Sequence, residues 1–288
     1  MTRSAGTDFR LIILAAMLAL VALEYGVGRL LHRRSHDWRE SAATLGVALG
    51  RTLLRGVEAV VAAGPAAFLY RHRLLEFDPV GFSALASLFV ATELVYYWYH
   101  RASHRIRWMW ATHAVHHSPT RFNLTSAIRL GWTNALSGGF LFVLPLAWLG
   151  FHPVAIAAMF GLDLTYQFFL HTELVPSLGP LDYVLNTPAH HRVHHASNPA
   201  CLDRNYGGML ILFDRLFGTF AAAPKHQSLR YGLAGAVASY NPVRIALGEW
   251  AAMAGEAWCA GSWSRRLRIL FGPPGGLTGV EGSVGGAD

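Results

Sequence analysis

The chain has 288 residues, of which 53% are hydrophobic and only 14% are charged, and its mean hydropathy is +0.30. Because a soluble domain usually carries about 25% charged residues, this composition argues against a soluble protein and indicates a membrane protein. The net charge of +7 suits basic loops that face anionic lipid, and it does not indicate nucleic-acid binding because the arginines flank apolar spans. The two cysteines, Cys201 and Cys259, are predicted to be ordinary reduced thiols.

Apolar runs predict several membrane spans. Residues 11–31 form a 21-residue apolar run that is long enough to cross a bilayer and too long for the apolar core of a signal peptide. A weaker run covers residues 53–70. A third covers residues 80–99 and ends in four consecutive aromatic residues, which are typical of a membrane interface.

Residues 132–149 and 153–171 predict an apolar hairpin that turns near residue 151 and returns the chain to its starting side. The arginine-rich loops at 32–55 and 100–130 are predicted to be cytoplasmic, because basic loops stay on that side of a membrane. We therefore expect an all-α, polytopic membrane bundle of about four to five spans. A histidine-rich helical cap would cover its cytoplasmic face.

Ten of the 15 histidines fall into four short patterns within this cap. Residues three and four apart share a helix face, so each three-histidine pattern predicts one ligand face. Imidazole nitrogens suit iron, zinc, copper or nickel, and nine of them exceed the four ligands of one tetrahedral zinc. The spacing therefore predicts two metal ions, bound by His100, His104, His113, His116, His117, His171, His191, His194 and His195.

Three polar side chains in apolar spans are further candidates. Glu93 lies two helical turns before His100 and is predicted either to accept a hydrogen bond from a metal-bound imidazole or to be a satisfied interfacial carboxylate. Gln167 and Asp163 precede His171 by four and eight residues. They share its helix face and should face protein or a cavity rather than lipid.

Five segments resemble the fatty acid hydroxylase / sterol desaturase superfamily of membrane di-iron enzymes. They are Tyr-Tyr-Trp-Tyr-His-Arg-Ala-Ser-His at 96–104, Trp-Ala-Thr-His-Ala-Val-His-His-Ser at 110–118, Thr-Pro-Ala-His-His-Arg-Val-His-His at 187–195, Asp-Arg-Asn-Tyr-Gly-Gly at 203–208 and Asp-Arg-Leu-Phe-Gly-Thr-Phe at 214–220. Residues 123–129, 166–173 and 201–206 are most similar to the alkylglycerol monooxygenase branch. That branch hydroxylates the ether-linked carbon of alkylglycerols with a tetrahydropterin as reductant.

The resemblance implies that the nine histidines hold two Fe ions that react with O2. An external two-electron donor, either a tetrahydropterin or a separate redox protein, would supply the electrons. It also implies that His190 orients the last histidine pattern or ligates a metal itself. Five residues after that pattern would hydrogen-bond ligand imidazoles or have a purely structural role: Asn198, Asp203, Asn205, Tyr206 and Asp214.

With the apolar runs and the glycine-rich end of the chain, this resemblance predicts four regions: N-terminal spans at 1–79, a di-iron catalytic domain at 80–222, an interfacial or membrane segment at 223–271 and a disordered tail at 272–288. The expected activity is hydroxylation of an unactivated C–H bond of an alkylglycerol ether, fatty acyl or sterol-like lipid taken from the bilayer. We expect a multi-pass membrane protein, in the inner membrane if the source is bacterial.

Three other functions stay open at this point. A lipid or sterol desaturase would use the same ligands, so only the product distinguishes it. A metal transporter would place its ligands near the bilayer midplane, whereas these histidines lie beyond the span ends. A zinc hydrolase would leave several histidines unexplained, and the sequence has no His-Glu-x-x-His motif.

Overall fold

The computed structural model describes residues 3–32 and 35–275, with backbone alone for residues 3–10. All regular elements in these ranges are helical, and the single β-type pairing is an isolated antiparallel bridge between Leu185 and Leu210. The predicted all-α class is confirmed. The predicted disordered tail lies almost entirely outside the described residues.

Three long helices open the fold: α1 (Arg3–Leu30), α2 (Trp38–Arg71) and α3 (Phe82–Arg105). α2 starts well before the predicted run at 53–70, because Asp37 caps it by accepting the Arg39 amide at 2.8 Å. The first turns of α2 are buried against the histidine-bearing region, and its later, apolar turns are exposed. The first turns of α2 therefore pack inside the protein, whereas its later turns have the apolar surface of a membrane-spanning helix.

Within the described residues, three helices are long and apolar enough to cross a membrane: Leu11–Leu30 of α1, α2, and α7 (Pro153–Leu170). The predicted span at 80–99 is not among them, although α3 is 24 residues long. Its buried face carries carboxylate, tyrosine and histidine side chains, which lower its hydropathy. The total number of spans stays a prediction.

The first arm of the predicted hairpin is not one continuous helix. It consists of α5 (Asn134–Ser137), a 3-10 turn (Gly139–Phe142) and α6 (Leu144–Leu149). The break occurs at Gly138, whose φ of 78° is favourable only for glycine. The turn to α7 needs Gly150 in the same way, because a Cβ there would lie 2.1 Å from the Leu75 carbonyl oxygen.

The histidine-rich cap contains α4 (Arg107–His117), α8 (Pro188–His195) and α9 (Leu212–Leu216). The predicted segment at 223–271 contains two helices, α10 (Pro242–Cys259) and α11 (Trp263–Phe271). α10 packs on α4 through a small apolar core that includes Ala111 and Met253. Arg107 joins the same two helices by donating to the Glu249 carboxylate at 3.0 Å.

Candidate metal centre

The nine histidines predicted as ligands lie in two adjacent groups. In each group, one nitrogen from every ring lies within 4.8 Å of the others. Two ligands on opposite sides of one metal would be separated by about 4 Å, since metal–nitrogen bonds are about 2.0–2.1 Å long. The five-histidine group contains His100, His104, His113, His117 and His194, and the four-histidine group contains His116, His171, His191 and His195.

Helical geometry divides the histidine patterns between the two groups. His113 and His117, four residues apart on α4, join the five-histidine group, whereas His116 joins the other. α8 does the same with the roles exchanged, because His191 and His195 share one group and His194 enters the other. Each three-histidine pattern is therefore divided between two groups and does not serve a single site. Each face is wide enough to serve two neighbouring sites.

Backbone carbonyls orient several of the rings. Nδ1 of His100 lies 2.8 Å from the Tyr206 carbonyl oxygen, and Nδ1 of His194 lies 2.8 Å from that of Arg204. A carbonyl oxygen can only accept, so Nδ1 of each ring carries a proton. In a neutral imidazole this leaves the lone pair on Nε2, which points into the five-histidine group.

In the four-histidine group, this arrangement brings two Nε2 lone pairs face to face. His116 donates Nδ1–H to the Arg129 carbonyl at 3.3 Å, and His171 donates to the Gln167 carbonyl at 2.7 Å. Their Nε2 atoms lie 3.3 Å apart with a lone pair on each, so neither can donate to the other. Burial lowers the pKa of both rings to about 3, so a proton between them is unfavourable at neutral pH.

A metal cation would satisfy both lone pairs, so the residues present fit a metal ion. Two further atoms in the five-histidine group need the same kind of partner, since Nε2 of His104 and of His194 are buried without a hydrogen bond. Burial lowers the pKa of His194 to about 3 and of His104 well below its usual value. All of these rings are therefore neutral at pH 7, as metal ligation requires.

The structure gives Glu93 other partners than the predicted imidazole. One carboxylate oxygen of Glu93 accepts hydrogen bonds from the amides of Met209 at 3.0 Å and Leu210 at 2.7 Å. The side chain of Gln167 binds the Tyr96 hydroxyl and the Asp163 carboxylate, both at 2.8 Å. Gln167 reaches the centre only through its backbone carbonyl, which accepts from His171. Asp163 and Gln167 are both buried and face protein, as predicted.

Three of the residues after the last histidine pattern act on the surrounding loops. Asp214 accepts the amides of Tyr206 and Gly207, both at 2.7 Å, and so holds the loop whose carbonyl orients His100. Asn205 donates to the carbonyl of His190 at 3.1 Å, and Asn198 accepts the Arg230 amide at 2.8 Å. None of these side chains contacts a ligand ring.

Asp203 and His190 differ from those three residues. A carboxylate oxygen of Asp203 lies 3.8 Å from Nδ1 of His104, so this side chain faces a ligand ring, and it also pairs with Arg105 at 2.8 Å. His190 belongs to neither histidine group. Its ring packs on Phe220, with 5.3 Å between centroids, so the structure favours the orienting role over ligation.

Sequence reasoning missed that the loop at 118–131 contacts the histidine rings directly. Arg129 is only 1% exposed, and its guanidinium donates to the Thr44 hydroxyl at 2.9 Å and to the Glu40 carbonyl at 3.0 Å. Phe122 stacks on His171 with 5.4 Å between ring centroids. A single arginine in a basic stretch gives no sign that it will be buried, so no local pattern could have identified it.

Fold and site together define an all-helical protein with membrane-length apolar helices and two adjacent, purely histidine groups of metal-ligand geometry. More particularly, residues 85–219 match the fatty acid hydroxylase family. The resemblance seen in the sequence is confirmed. No solved structure matches the chain.

Several characterised proteins are similar to this chain. Alkylglycerol monooxygenase from Xenopus tropicalis is 38% identical over 65% of this chain and 41% of its own length. The same enzyme from Danio rerio is 40% identical, over 66% of this chain and 42% of its length. An ornithine lipid hydroxylase from Rhizobium tropici is 31% identical over 67% of this chain and 58% of its length. The alignment thus spans about two fifths of the alkylglycerol monooxygenases.

Proposed function

We propose that this chain is an O2-dependent di-iron enzyme that hydroxylates an unactivated C–H bond of a lipid. The observation that carries the proposal is the pair of opposed Nε2 lone pairs on His116 and His171, inside one of two adjacent histidine groups. The similarity to alkylglycerol monooxygenases and an ornithine lipid hydroxylase supports a lipid substrate.

The five-histidine group would hold one iron ion and the four-histidine group the other. When bound, the two ions would supply the activation of O2 and the oxidation of the C–H bond, for which no amino-acid side chain suffices. The chain keeps the rings neutral by burial and fixes their tautomers through backbone carbonyls. An external donor, a tetrahydropterin or a redox protein, would provide two electrons for each O2.

The substrate that we propose first is an alkylglycerol ether, with fatty acyl and sterol-like lipids as alternatives. Hydroxylation of an ether-linked carbon gives a hemiacetal, which separates into an aldehyde and glycerol. The long apolar helices α1, α2 and α7 support a position in the membrane, where the tail of such a lipid lies. We further propose that the histidine groups lie at the cytoplasmic face.

The proposal is tested by isotope transfer in membranes that contain the protein, with alkylglycerol, fatty-acyl and sterol lipids, a tetrahydropterin and 18O2. We expect 18O in a fatty aldehyde or its acid, and no labelled product from His116→Ala. His226→Ala, which changes an exposed histidine outside both groups, is the matched control and should retain activity.

Other results would change the proposal in defined ways. Loss of two hydrogens without label would indicate a desaturase, and label on an acyl or sterol carbon would exclude the ether substrate. Full activity in both His116→Ala and His194→Ala would contradict the metal centre itself.

A further inference from the structure

A cavity of about 880 Å³ lies away from the histidine groups, between α1, the start of α2 and the loop at 121–125. One wall is apolar and comes from Leu18, Val21 and Ala22 of α1. The other end is cationic, because the cavity is lined there by Arg29, Arg39 and Arg121. We propose that this cavity binds an anionic phospholipid, with its phosphate among the arginines and its acyl chain along α1.

The charges around the cavity favour an anion. Among the described residues, none of the three arginines forms an ion pair with a carboxylate, and all three are exposed to the cavity or to solvent. The only carboxylate in the lining is Asp37, which is already engaged by the Arg39 amide at 2.8 Å. The three arginines and Asp37 of the lining therefore carry a net charge of +2.

Two further carboxylates lie close to the cavity, but both are buried and neither is part of its lining. Glu24 is 3% exposed and accepts the Leu124 amide at 2.8 Å. Glu40 is 6% exposed and accepts the amides of Thr120 at 2.7 Å and Arg121 at 3.0 Å. These bonds also hold the loop at 121–125 as one wall of the cavity.

The position of the cavity favours a lipid over a free anion. Residues 11–30 of α1 are apolar and long enough to cross a membrane. Arg29 lies in the last turn of that helix, where a spanning helix reaches the lipid headgroups. An apolar wall that continues from a cationic end matches an amphiphile, whereas inorganic phosphate would use only the arginines.

The loop at 121–125 also joins the cavity to the metal centre. Arg121 and Thr125 face the cavity, whereas Phe122 between them is 2% exposed and stacks on His171. A lipid held by Arg121 would therefore bind against the same loop that packs on the four-histidine group. The inference itself requires only a membrane protein, so it can fail or hold independently of the proposed hydroxylase activity.

The test measures lipid binding to purified, delipidated protein by native mass spectrometry. The ligands are phosphatidylglycerol, phosphatidylcholine with the same acyl chains, and inorganic phosphate as a competitor. We expect one phosphatidylglycerol to bind in preference to phosphatidylcholine, and phosphate not to displace it. Arg39→Gln with Arg121→Gln should weaken this binding by on the order of tenfold or more, from about 1 kcal/mol for each basic residue.

Two further variants control for folding and for total charge. Arg71→Gln removes an exposed arginine at the opposite end of α2 and should leave binding unchanged. Ala22→Trp fills the cavity from the apolar wall without changing any charge, and it should also abolish preferential binding. Equal binding of the two lipids to the wild type, displacement by inorganic phosphate, or wild-type binding in both cavity variants would overturn the inference.

Discussion

The carbonyl oxygen of Arg129 lies 3.3 Å from Nδ1 of His116, while the guanidinium of the same residue lies 3.8 Å from the buried carboxylate of Glu40. A single residue thus connects the N-terminal part of α2 to a ring of the four-histidine group. The link is internal, since Arg129 and Glu40 are 1% and 6% exposed. Its removal should affect both stability and metal content.

We predict that Arg129→Met lowers the melting temperature and the metal content together. The substitution leaves the Glu40 carboxylate buried without its cation, a change that typically costs about 3–5 kcal/mol. Thermal unfolding in detergent and elemental analysis measure the two effects. Arg71→Met, at an exposed position, should change neither. An unaltered melting temperature in Arg129→Met would show that the buried pair does not hold the loop.

Removal of a ligand should distinguish the two groups. His171→Ala should bind one metal ion per chain instead of two, because it removes one of the four nitrogens of a single group. His190→Asn should still bind two, since the His190 ring lies in neither group. Metal content after reconstitution of the metal-free protein with ferrous iron measures this difference. A loss of one ion in His190→Asn would identify that ring as a ligand.

Asp214→Asn should destabilise the loop that orients His100. Asp214 is fully buried and accepts two backbone amides and the Thr219 hydroxyl, each at 2.7 Å. An amide group offers one accepting oxygen instead of two, so at least one buried donor loses its partner, at a cost of about 1–3 kcal/mol. Thermal unfolding compared with Asp78→Asn, a change at an exposed residue, measures the effect. Equal melting temperatures would contradict it.

The contact between α4 and α10 should depend on pH. Arg107 donates to the Glu256 carboxylate at 2.8 Å, and this bond holds the pKa of that carboxyl below its usual value of 4.5. Because the folded-state pKa is lowered, the stabilisation is present above pH 4.5 and is lost as the pH falls through the folded-state value. The wild type should unfold at a higher temperature than Glu256→Gln at pH 7.

That difference should disappear once the pH is low enough to protonate Glu256 in the folded protein. Melting curves of the two proteins across the acidic range provide the measurement. The size of the effect at pH 7 will be modest, since the Glu256 side chain is 45% exposed. A difference that stays constant down to the lowest pH would indicate that packing, and not the ion pair, distinguishes the two proteins.

The sequence by itself determined the helical class and the nine histidines that assemble. Both are local properties, since apolar runs and spacings of three and four residues express the geometry of single helices. The number of nitrogens also indicated two metal sites, because coordination numbers limit how many ligands one ion accepts. His171, which stands alone in the sequence, was identified because α7 returns it to the cap.

Only the tertiary structure decided how the ligands are divided and what holds them. His116 and His117 are adjacent in the chain but belong to different groups. α3 supplies two rings to the group of His117, whereas the end of α7 supplies His171 to the group of His116. Glu93 accepts the amide of Met209, which lies 116 residues further along the chain. The buried Arg129 donates to the carbonyl of Glu40, which lies 89 residues before it. Such contacts depend on the packing of distant elements, and no periodicity within one segment encodes them.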